Sequence, residues 1–472
     1  MANLQEQRKV EFIEQMLNEV HSIPINEVVG SVVPLVQRGR HYMGLCPFHP
    51  DHRLGSFVVT PDKNIWQCFA EGIGGGPEKF YMEYYHIGYL QAAFRLAREY
   101  HIISEKDYQQ YSNKRYNKET VEVIRNKIEE PMKMEFRRAS YETITAVYNV
   151  IPSICKLSDA HTEHLRKVRY LTDLSDYFTV PTRRMDLPGR IINSIRDRIE
   201  TEVEADPSIP DNLKLNEVEK RIAVIEDELP YVPGFFYNNS AQKVDFVSYK
   251  GIGILCRDAD GKPVGIQVRR DTVKEGEQRY IWFSSTFAQK DGSGASSGSP
   301  GGYIPCGKTK ASICITEGRF KAEKIAEKGN DAVYVSGVST WKSVLPILKK
   351  IRKGRDTVYL MFDSDMMGNI AVHKQLVAFE NELEKNHFQT RIVLWKIEDG
   401  KGFDDLVINK GSHYKDCMKG VSYQAFSRIY EMVLQEVLKS FEVSSPREIK
   451  PEDADLFNQR MQRMVEKEIG LK

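Results

Sequence analysis

The sequence has 472 residues, a length that is too great for one hydrophobic core and that indicates about three domains. Its 67 Lys and Arg residues nearly balance its 66 Asp and Glu residues, so the net charge of +1 neither supports nor excludes a nucleic-acid partner. No apolar run reaches the about 18 residues that a membrane-spanning helix needs, and the N-terminal residues lack the apolar centre of a signal peptide. We therefore expect a cytoplasmic protein, in which seven cysteines favour metal binding or burial over a disulfide framework.

Residues 1–100 have the pattern of a small metal-binding module. In chain order the elements are helices at 4–20 and 23–29, the residues Cys46-Pro47-Phe48-His49, strands at 56–59 and 65–69, and a glycine-rich stretch at 72–76. A module of this size buries too little apolar surface to be stable unaided, and strands next to Cys and His side chains are typical of a zinc ribbon.

These residues resemble the CHC2-type zinc-binding domain of DnaG-type primases, whose pattern is Cys-Pro-x-His, then Pro-Ser-Phe, then Cys-x-x-Cys-Gly. Cys46, His49 and Cys68 match three of the family's zinc ligands, and Glu71 stands at the fourth place. Structural zinc sites strongly prefer Cys and His. The chain therefore uses Glu71, recruits His52 or a water, binds the metal weakly, or has lost it, in which case Cys46 and Cys68 are simply buried.

The same resemblance implies a contact between this module and a single-stranded DNA template. Arg40 and Trp66 are the side chains that we assign to it, for charge and for base stacking respectively, with Arg38, Arg53 and Lys63 as further cations. The alternative is that each is an ordinary solvated side chain.

The middle of the chain is predicted to be largely helical. We expect one helix at 81–100, an exposed charged linker over 101–140, further helices over 141–184 and a charged helical insertion at 186–229 to which we assign no chemistry. A linker of this composition would tether the first module to the rest of the chain.

Residues 251–270 are predicted to form a β-hairpin, because an Asp260-Gly261 turn separates two apolar alternations. One face of its second strand is expected in a core and the other in a groove. The hairpin resembles a strand pair in the basic subdomain of the primase core, and this implies that Arg257, Arg269 and Arg270 contact template or nucleotide phosphates. A surface hairpin with salt bridges is the equally weighted alternative.

Residues 312–405 alternate between apolar runs and amphipathic stretches, a pattern that predicts a parallel sheet with helical crossovers. Glu317, Asp363 and Asp365 directly follow predicted strands, and Asp404 and Asp405 follow the last one. Carboxyl ends of parallel strands meet at one edge, where ligands bind. Crowded carboxylates there favour a hard cation such as Mg²⁺ or Mn²⁺, whereas a lone Asp would be interpreted as a helix cap.

Four segments in this stretch resemble the motifs of the Toprim domain, which DnaG-type primases share with type IA and II topoisomerases and some nucleases. They are Ile315-Thr316-Glu317-Gly318, Gly337-Val338-Ser339-Thr340, Phe362-Asp363-Ser364-Asp365 and Gly400 to Asp405. The resemblance implies that Glu317 is an acid/base or metal-organising residue and that Asp363 and Asp365 hold metal. Asp404 and Asp405 would add a further acidic pair. Separately from the resemblance, Lys321, one turn into the helix after Glu317, is a candidate for phosphate contact, and the favoured alternative is an ordinary exposed helical lysine.

The predicted fold is α/β: a zinc-ribbon-like β module, a helical linker, a primase core whose Toprim parallel sheet is flanked by helices, and a helical C-terminal tail. The expected regions are a CHC2-like domain at 1–100, the linker at 101–140, a basic subdomain with its insertion at 141–305, the Toprim domain at 306–415 and the tail at 416–472.

The order of these modules resembles that of a DnaG-type primase from a phage or mobile element. It implies synthesis of RNA primers on single-stranded DNA from ribonucleoside triphosphates with Mg²⁺ or Mn²⁺, with zinc in the first module and a replicative helicase as a candidate partner. The alternatives are a Toprim-type nuclease and a non-catalytic DNA-binding replication accessory.

Overall fold

The computed structural model describes residues 2–471 except 39–40, 50, 52–53, 114–115, 117–118, 120, 125–136, 275–276 and 309–310. The chain forms two compact units, each assembled from separate segments. The first contains Met1–Glu135, Met366–Leu376 and Ile429–Glu468, and the second contains Phe136–Asp365, Val377–Arg428 and Ile469–Lys472. The division into five regions that we expect from the sequence stays a prediction.

A five-stranded antiparallel sheet lies at the centre of the N-terminal part of the first unit. Its strands follow one another in chain order: Val36–Arg38, His41–Gly44, Phe57–Thr60, Ile65–Cys68 and Ile73–Gly75. Alternation along Ile65–Cys68 turns Trp66 and Cys68 inward and Gln67 outward. Trp66 is completely buried against Phe48, Phe57 and Phe80, so the core of this module is aromatic.

Helices cover this sheet. Those described in the N-terminal part of the unit are Ala2–His21, Ile25–Gly30, Pro77–Tyr85, Tyr89–Glu99 and Glu105–Tyr111. The prediction of one continuous helix over 81–100 is wrong. The chain leaves the helix at His86, which adopts a left-handed conformation with φ 54°, and the next helix starts after Gly88, whose N–H donates to Gln91 Oε1 at 3.1 Å.

The second unit begins with a four-stranded antiparallel sheet. Its order is Tyr280–Trp282, Pro263–Arg270, Gly251–Arg257 and Tyr177–Thr179. The predicted hairpin is confirmed, since Gly251–Arg257 pairs with Pro263–Arg270 around the Asp260-Gly261 turn. The prediction of helical structure throughout 141–184 is wrong, because Tyr177–Thr179 forms an edge strand on this hairpin, as its aromatic and β-branched residues favour.

Three helices pack their apolar faces with this sheet into one core: Tyr141–Ile154, Leu187–Ala205 and Asp211–Glu228. The last two are the charged helical insertion predicted from the sequence. The short helix Asp159–Glu163 continues into one π-helical turn at His164–Val168. Arg169 follows this turn directly, which matters for the site described below.

A six-stranded mixed sheet forms the second half of this unit. Its order is Gly302–Ile304, Asp331–Val335, Ile313–Glu317, Thr357–Met361, Gln389–Leu394 and Lys419–Ser422. The four central strands are parallel and the two outer ones antiparallel. The parallel sheet is therefore confirmed, whereas neither outer strand was expected from the sequence.

Helices accompany the mixed sheet along the chain and extend beyond it. They are Arg319–Glu327, Leu345–Ile351, Ile370–Lys385, Phe403–Lys410, Tyr423–Ser440 and Ala454–Ile469. The predicted α/β class is thus confirmed, with its N-terminal β module and helical C-terminal region. Within the described part of the chain, no helix combines the length and the apolar character needed to cross a membrane.

Candidate active site and candidate metal centre

The carboxyl ends of the central parallel strands enclose an acidic cleft in the second unit. Glu317 is the last residue of its strand, and Asp363 follows the neighbouring strand by two residues. The cleft has a volume of about 260 Å³, and its wall includes Glu317, Lys321, Asp363, Lys401, Asp404 and Asp405. The structure therefore brings together the carboxylates that the sequence places after separate strands.

Gly318 gives the chain the turn that presents Glu317. It has φ 81° and ψ 152°, a region that residues with a Cβ rarely adopt, and the helix Arg319–Glu327 begins directly after it. Its N–H donates to the carbonyl of Val335 at 2.7 Å, which ties the turn to the neighbouring strand. A sharp, anchored turn of this kind fixes the position of Glu317.

Three cationic side chains are paired with the carboxylates. Lys321 Nζ lies 2.5 Å from Asp363 Oδ1, and Lys401 Nζ lies 2.8 Å from Asp365 Oδ2. A weaker pair joins Arg169 Nη1 to Asp404 Oδ2 at 3.4 Å. Asp405 has a different task, since its Oδ2 accepts from the Gly402 N–H at 3.2 Å and so caps the helix Phe403–Lys410.

Burial raises the pKa values of several acids here. The pKa of Glu317 is raised to about 7, chiefly by desolvation, while Lys321 opposes the shift and Asp363 adds to it. Desolvation first, and Asp405 second, raise the pKa of Asp404. A carboxyl that titrates near neutral pH can both accept and donate a proton, which suits an acid/base role for Glu317.

The donor atoms of the cleft fit a hard divalent cation. Asp404 is only 6% exposed, and its Oδ1 has no hydrogen-bond partner among the residues that the structure describes. Unpaired carboxylate oxygens at such a depth are costly unless a cation balances them, and oxygen-only donors suit Mg²⁺ or Mn²⁺ better than softer metals.

Sequence reasoning missed two of these side chains. Lys401 lies inside the quoted Gly400-to-Asp405 segment, but a lysine between glycines is normally solvated. Arg169 has no local signal at all, because only the tertiary fold brings the residue after a π-helical turn to the cleft.

The hairpin arginines have different surroundings. Arg257 Nε lies 2.6 Å from Asp176 Oδ1, and Arg270 Nη2 lies 2.6 Å from Glu277 Oε2, so both are held by acids of their own unit. Arg269 Nε is buried without a hydrogen-bond partner in the described residues. Two residues before it on the same strand, Gln267 lines the acidic cleft, so the predicted groove-facing side of this strand adjoins the cleft.

A second candidate site lies in the first unit. Cys46, His49 and Cys68 offer ligand atoms that all lie within 4.8 Å of one another. The Cys68 sulfur is 3.3 Å from His49 Nε2, and a hydrogen bond from Cys46 is the largest of the influences that lower the pKa of Cys68 to about 6. Asp51 Oδ2 accepts from the Cys46 N–H at 2.9 Å and so supports this turn. Two sulfurs and one ring nitrogen suit zinc.

Glu71 does not join these three ligands, so its assignment as fourth ligand is corrected. Both of its carboxylate oxygens accept hydrogen bonds from Lys374 Nζ at 3.0 Å, and its carbonyl accepts one from Gln375. No oxygen of Glu71 belongs to the set of ligand atoms that lie within 4.8 Å of one another. The other candidate that we considered, His52, lies outside the described residues.

Trp66 and Arg40 are the two residues of this module that we expected to contact the template. Trp66 is fully buried in the aromatic core, because its strand turns it inward, and it is therefore not available for base stacking. This corrects the assignment made from the sequence. Arg40 lies outside the described residues.

Two family models match this chain. Residues 8–112 match the CHC2 zinc finger, and residues 306–414, which include the acidic cleft's strands, match a domain of unknown function, DUF3854.

Curated relatives share a short stretch with the chain. The DNA primase of Geobacillus stearothermophilus is 44% identical over 75 residues, and that of Synechocystis is 44% identical over 80 residues. These stretches cover 16% and 17% of this chain and 12% of each relative, so the chain matches only about an eighth of the length of these proteins.

Solved primase structures were also found to be similar. The zinc binding and RNA polymerase domains of the Aquifex aeolicus primase align over 97% of this chain and 98% of theirs, with 16% identity and a TM-score of 0.38. The RNA polymerase domain of Mycobacterium tuberculosis primase DnaG aligns over 68% of this chain and 98% of its own, with 13% identity and a TM-score of 0.42. Residues 8–112 thus match the CHC2 zinc finger model, and over a short stretch the chain is similar to bacterial DNA primases.

Proposed function

We propose that this protein is a DNA primase, which joins ribonucleotides into short RNA primers on a single-stranded DNA template. The observation that carries the proposal is that one chain combines a CHC2 module related to DNA primases with a buried acidic cleft at the ends of parallel strands. The first feature supports a primase, and the second supports metal-dependent phosphoryl chemistry.

Different residues of the cleft would have different roles in nucleotidyl transfer. Asp363 and Asp365, with Asp404 and Asp405, would hold Mg²⁺ or Mn²⁺, which neutralises phosphate charge and aligns the triphosphate when bound. Glu317 would take up the proton of the attacking hydroxyl or orient the metal ligands, and its raised pKa supports the former role.

Cations around the cleft would bind the substrates. Lys401, with a side chain 60% exposed, would reach the incoming triphosphate, and Lys321 would remain with the carboxylates. Arg257, Arg269 and Arg270 are proposed to contact the template backbone, where Arg269 is the strongest candidate because its Nε has no described hydrogen-bond partner. Arg40 and a replicative helicase partner remain predictions from the family resemblance.

In the first unit, Cys46, His49 and Cys68 would hold zinc, with a water or another exogenous ligand at the fourth position. Three protein ligands and one open position are sufficient for zinc binding. The role of this metal would be to stabilise the small sheet that carries the ligands.

A Toprim-type nuclease is the second candidate. The acidic cleft alone would serve hydrolysis of a phosphodiester as well, and the segment around it matches a domain of unknown function. In that case a water would replace the attacking hydroxyl, and the template would be the substrate.

One assay separates these functions. The full chain is incubated with unprimed, end-labelled single-stranded DNA, labelled ribonucleoside triphosphates and Mg²⁺ or Mn²⁺. A primase makes labelled RNA oligomers, a nuclease shortens the DNA, and a non-catalytic protein does neither. Asp363→Asn should abolish the product, whereas Asp416→Asn, which changes a carboxylate whose side chain is 79% exposed, should retain it. Absence of RNA products with wild type would overturn the primase proposal.

A further inference from the structure

The charge balance of the acidic cleft is not that of an open two-cation site. The carboxylates of Glu317, Asp363, Asp365, Asp404 and Asp405 are accompanied by three paired cations, Arg169, Lys321 and Lys401. A fourth cation in the cleft wall, Arg319, is paired with Asp176 and Glu323, which lie outside this set. With all groups of the set ionised, two negative charges remain uncompensated. One divalent cation neutralises this remainder, and two would leave the cleft positive.

The side chain of Lys321 is largely buried in the wall of the cleft. It lies one helical turn after Glu317, and its side chain is only 20% exposed. Its ammonium contacts Asp363 at 2.5 Å and interacts electrostatically with Glu317 and Asp404 as well. It therefore stands among three of the acids at once, where a cation would be expected.

Gly402 gives independent evidence that the fold leaves space for the Lys321 side chain. A Cβ at position 402 would lie 2.6 Å from Lys321 Cε and 2.5 Å from Asp404 Oδ1. The φ of Gly402 is −97°, which any residue adopts, so the backbone does not require glycine here. Glycine instead leaves room for the Lys321 stem beside the Asp404 carboxylate, and one of these two side chains would have to shift if a Cβ were added.

The other lysine is different. Lys401 is 60% exposed and contacts Asp365, which is itself 42% exposed. A side chain at the rim can move to a substrate at little cost, whereas Lys321 would have to leave a buried ion pair.

We propose that Lys321 is a resident cation that takes the place of a second divalent ion, so that the cleft binds a single divalent cation. The donors for that ion are Asp404 Oδ1, the Asp363 oxygen that Lys321 does not contact, and the oxygens of Asp365 that Lys401 releases. This inference rests on the proposed metal chemistry and names Lys321 as a positioning residue, because it acts by orienting Asp363 and balancing its charge.

The test is Mn²⁺ titration of the full chain, preloaded with zinc and without nucleotide or DNA, followed by calorimetry and by electron paramagnetic resonance of free Mn²⁺. Wild type should bind one Mn²⁺ that Asp363→Asn loses or weakens at least tenfold. Lys321→Gln should bind a second Mn²⁺, while Lys321→Arg, which keeps the charge, and Lys385→Gln, with a side chain 72% exposed, should bind one.

Two Mn²⁺ ions in the cleft of wild type, or one in Lys321→Gln, would overturn the role of Lys321 and leave the primase proposal standing. No Mn²⁺ that depends on Asp363 would overturn the metal chemistry itself. If Lys321→Gln does not fold, as judged by circular dichroism, the wild-type stoichiometry decides: one ion supports the inference and two overturn it.

Discussion

At the scale of single residues, burial explains most of the unusual chemistry in this protein. Glu317, Asp363 and Lys321 are ordinary side chains in the sequence, but the strand ends place them together and out of water. Desolvation disfavours their charged forms, and the ion pair between Lys321 and Asp363 restores part of the lost hydration energy.

The raised pKa of Glu317 predicts a pH-dependent cost of folding. The folded protein holds this proton more tightly than the unfolded chain, so stability is highest below the ordinary value of 4.5 and falls as the pH rises through about 7. The full loss for one such group is about 3 kcal/mol. Glu317→Gln removes this pH dependence. The stability of the variant relative to wild type, measured by thermal unfolding, should therefore increase between pH 5 and pH 8.

Glu384→Gln, on an exposed helical surface of the same unit, is the control for this experiment. Divalent cations are omitted, because they would stabilise the ionised carboxyl and reduce the effect. An equal pH dependence in wild type and Glu317→Gln would show that Glu317 is not the group responsible.

Gly402→Ala tests the packing at residue scale. The added Cβ would overlap Lys321 and Asp404, so we expect a loss of about 1–3 kcal/mol in stability and at least a tenfold loss of RNA synthesis. Gly420→Ala is the matched control, since the nearest atoms to its Cβ are those of Arg391 at 3.9 Å. Wild-type activity in Gly402→Ala would mean that the Lys321 stem is not constrained there.

At the scale of elements, the sequence predicted what periodicity and strand ends determine. The parallel strands are apolar runs, and their carboxyl ends share an edge by geometry, so Glu317 and Asp363 could be placed together without a structure. The short edge strand Gly302–Ile304 could not be predicted, because it begins at the end of a Gly/Ser-rich stretch and forms only by pairing with the strand Asp331–Val335. Nor could Arg169, whose position depends on tertiary packing.

The ligand-bearing turns of the first unit show the same limit. The resemblance to the CHC2 domain identified Cys46, His49 and Cys68, but the partner of Glu71 is Lys374, which is distant in sequence. Propensity and spacing carry no information about such a contact, and the fourth-ligand assignment failed for that reason.

This arrangement predicts how zinc binding responds to substitution. Glu71→Gln should leave zinc content and the absorption spectrum of the Co²⁺-substituted protein unchanged, because the carboxylate is not a ligand. Cys68→Ser should weaken metal binding at least tenfold and reduce the sulfur-to-cobalt charge-transfer band. A spectral change in Glu71→Gln similar to that of Cys68→Ser would show that Glu71 binds the metal after all.

At the scale of the whole molecule, the net charge of +1 means that the proposed DNA binding would not come from a general attraction. It must depend on local cations that are not already committed to acids of the protein. Arg257 and Arg270 are committed, to Asp176 and Glu277 respectively, whereas Arg269 adjoins the cleft face of the hairpin. Of the three hairpin arginines, Arg269 is therefore the one on which affinity for a polyanion can depend.

Arg269→Gln should accordingly weaken binding of single-stranded DNA by the full chain about equally for all template sequences. Removing one cation that neutralises a phosphate of a single strand lowers the slope of log affinity against log salt by about 0.7, so we expect a reduction of that size. Fluorescence anisotropy over a salt series measures it, with Arg391→Gln, an exposed arginine on a strand of the other sheet, as the control. If Arg269→Gln binds with the wild-type slope and Arg270→Gln does not, the template contacts the outer side of the hairpin, and the ion pair with Glu277 opens on binding.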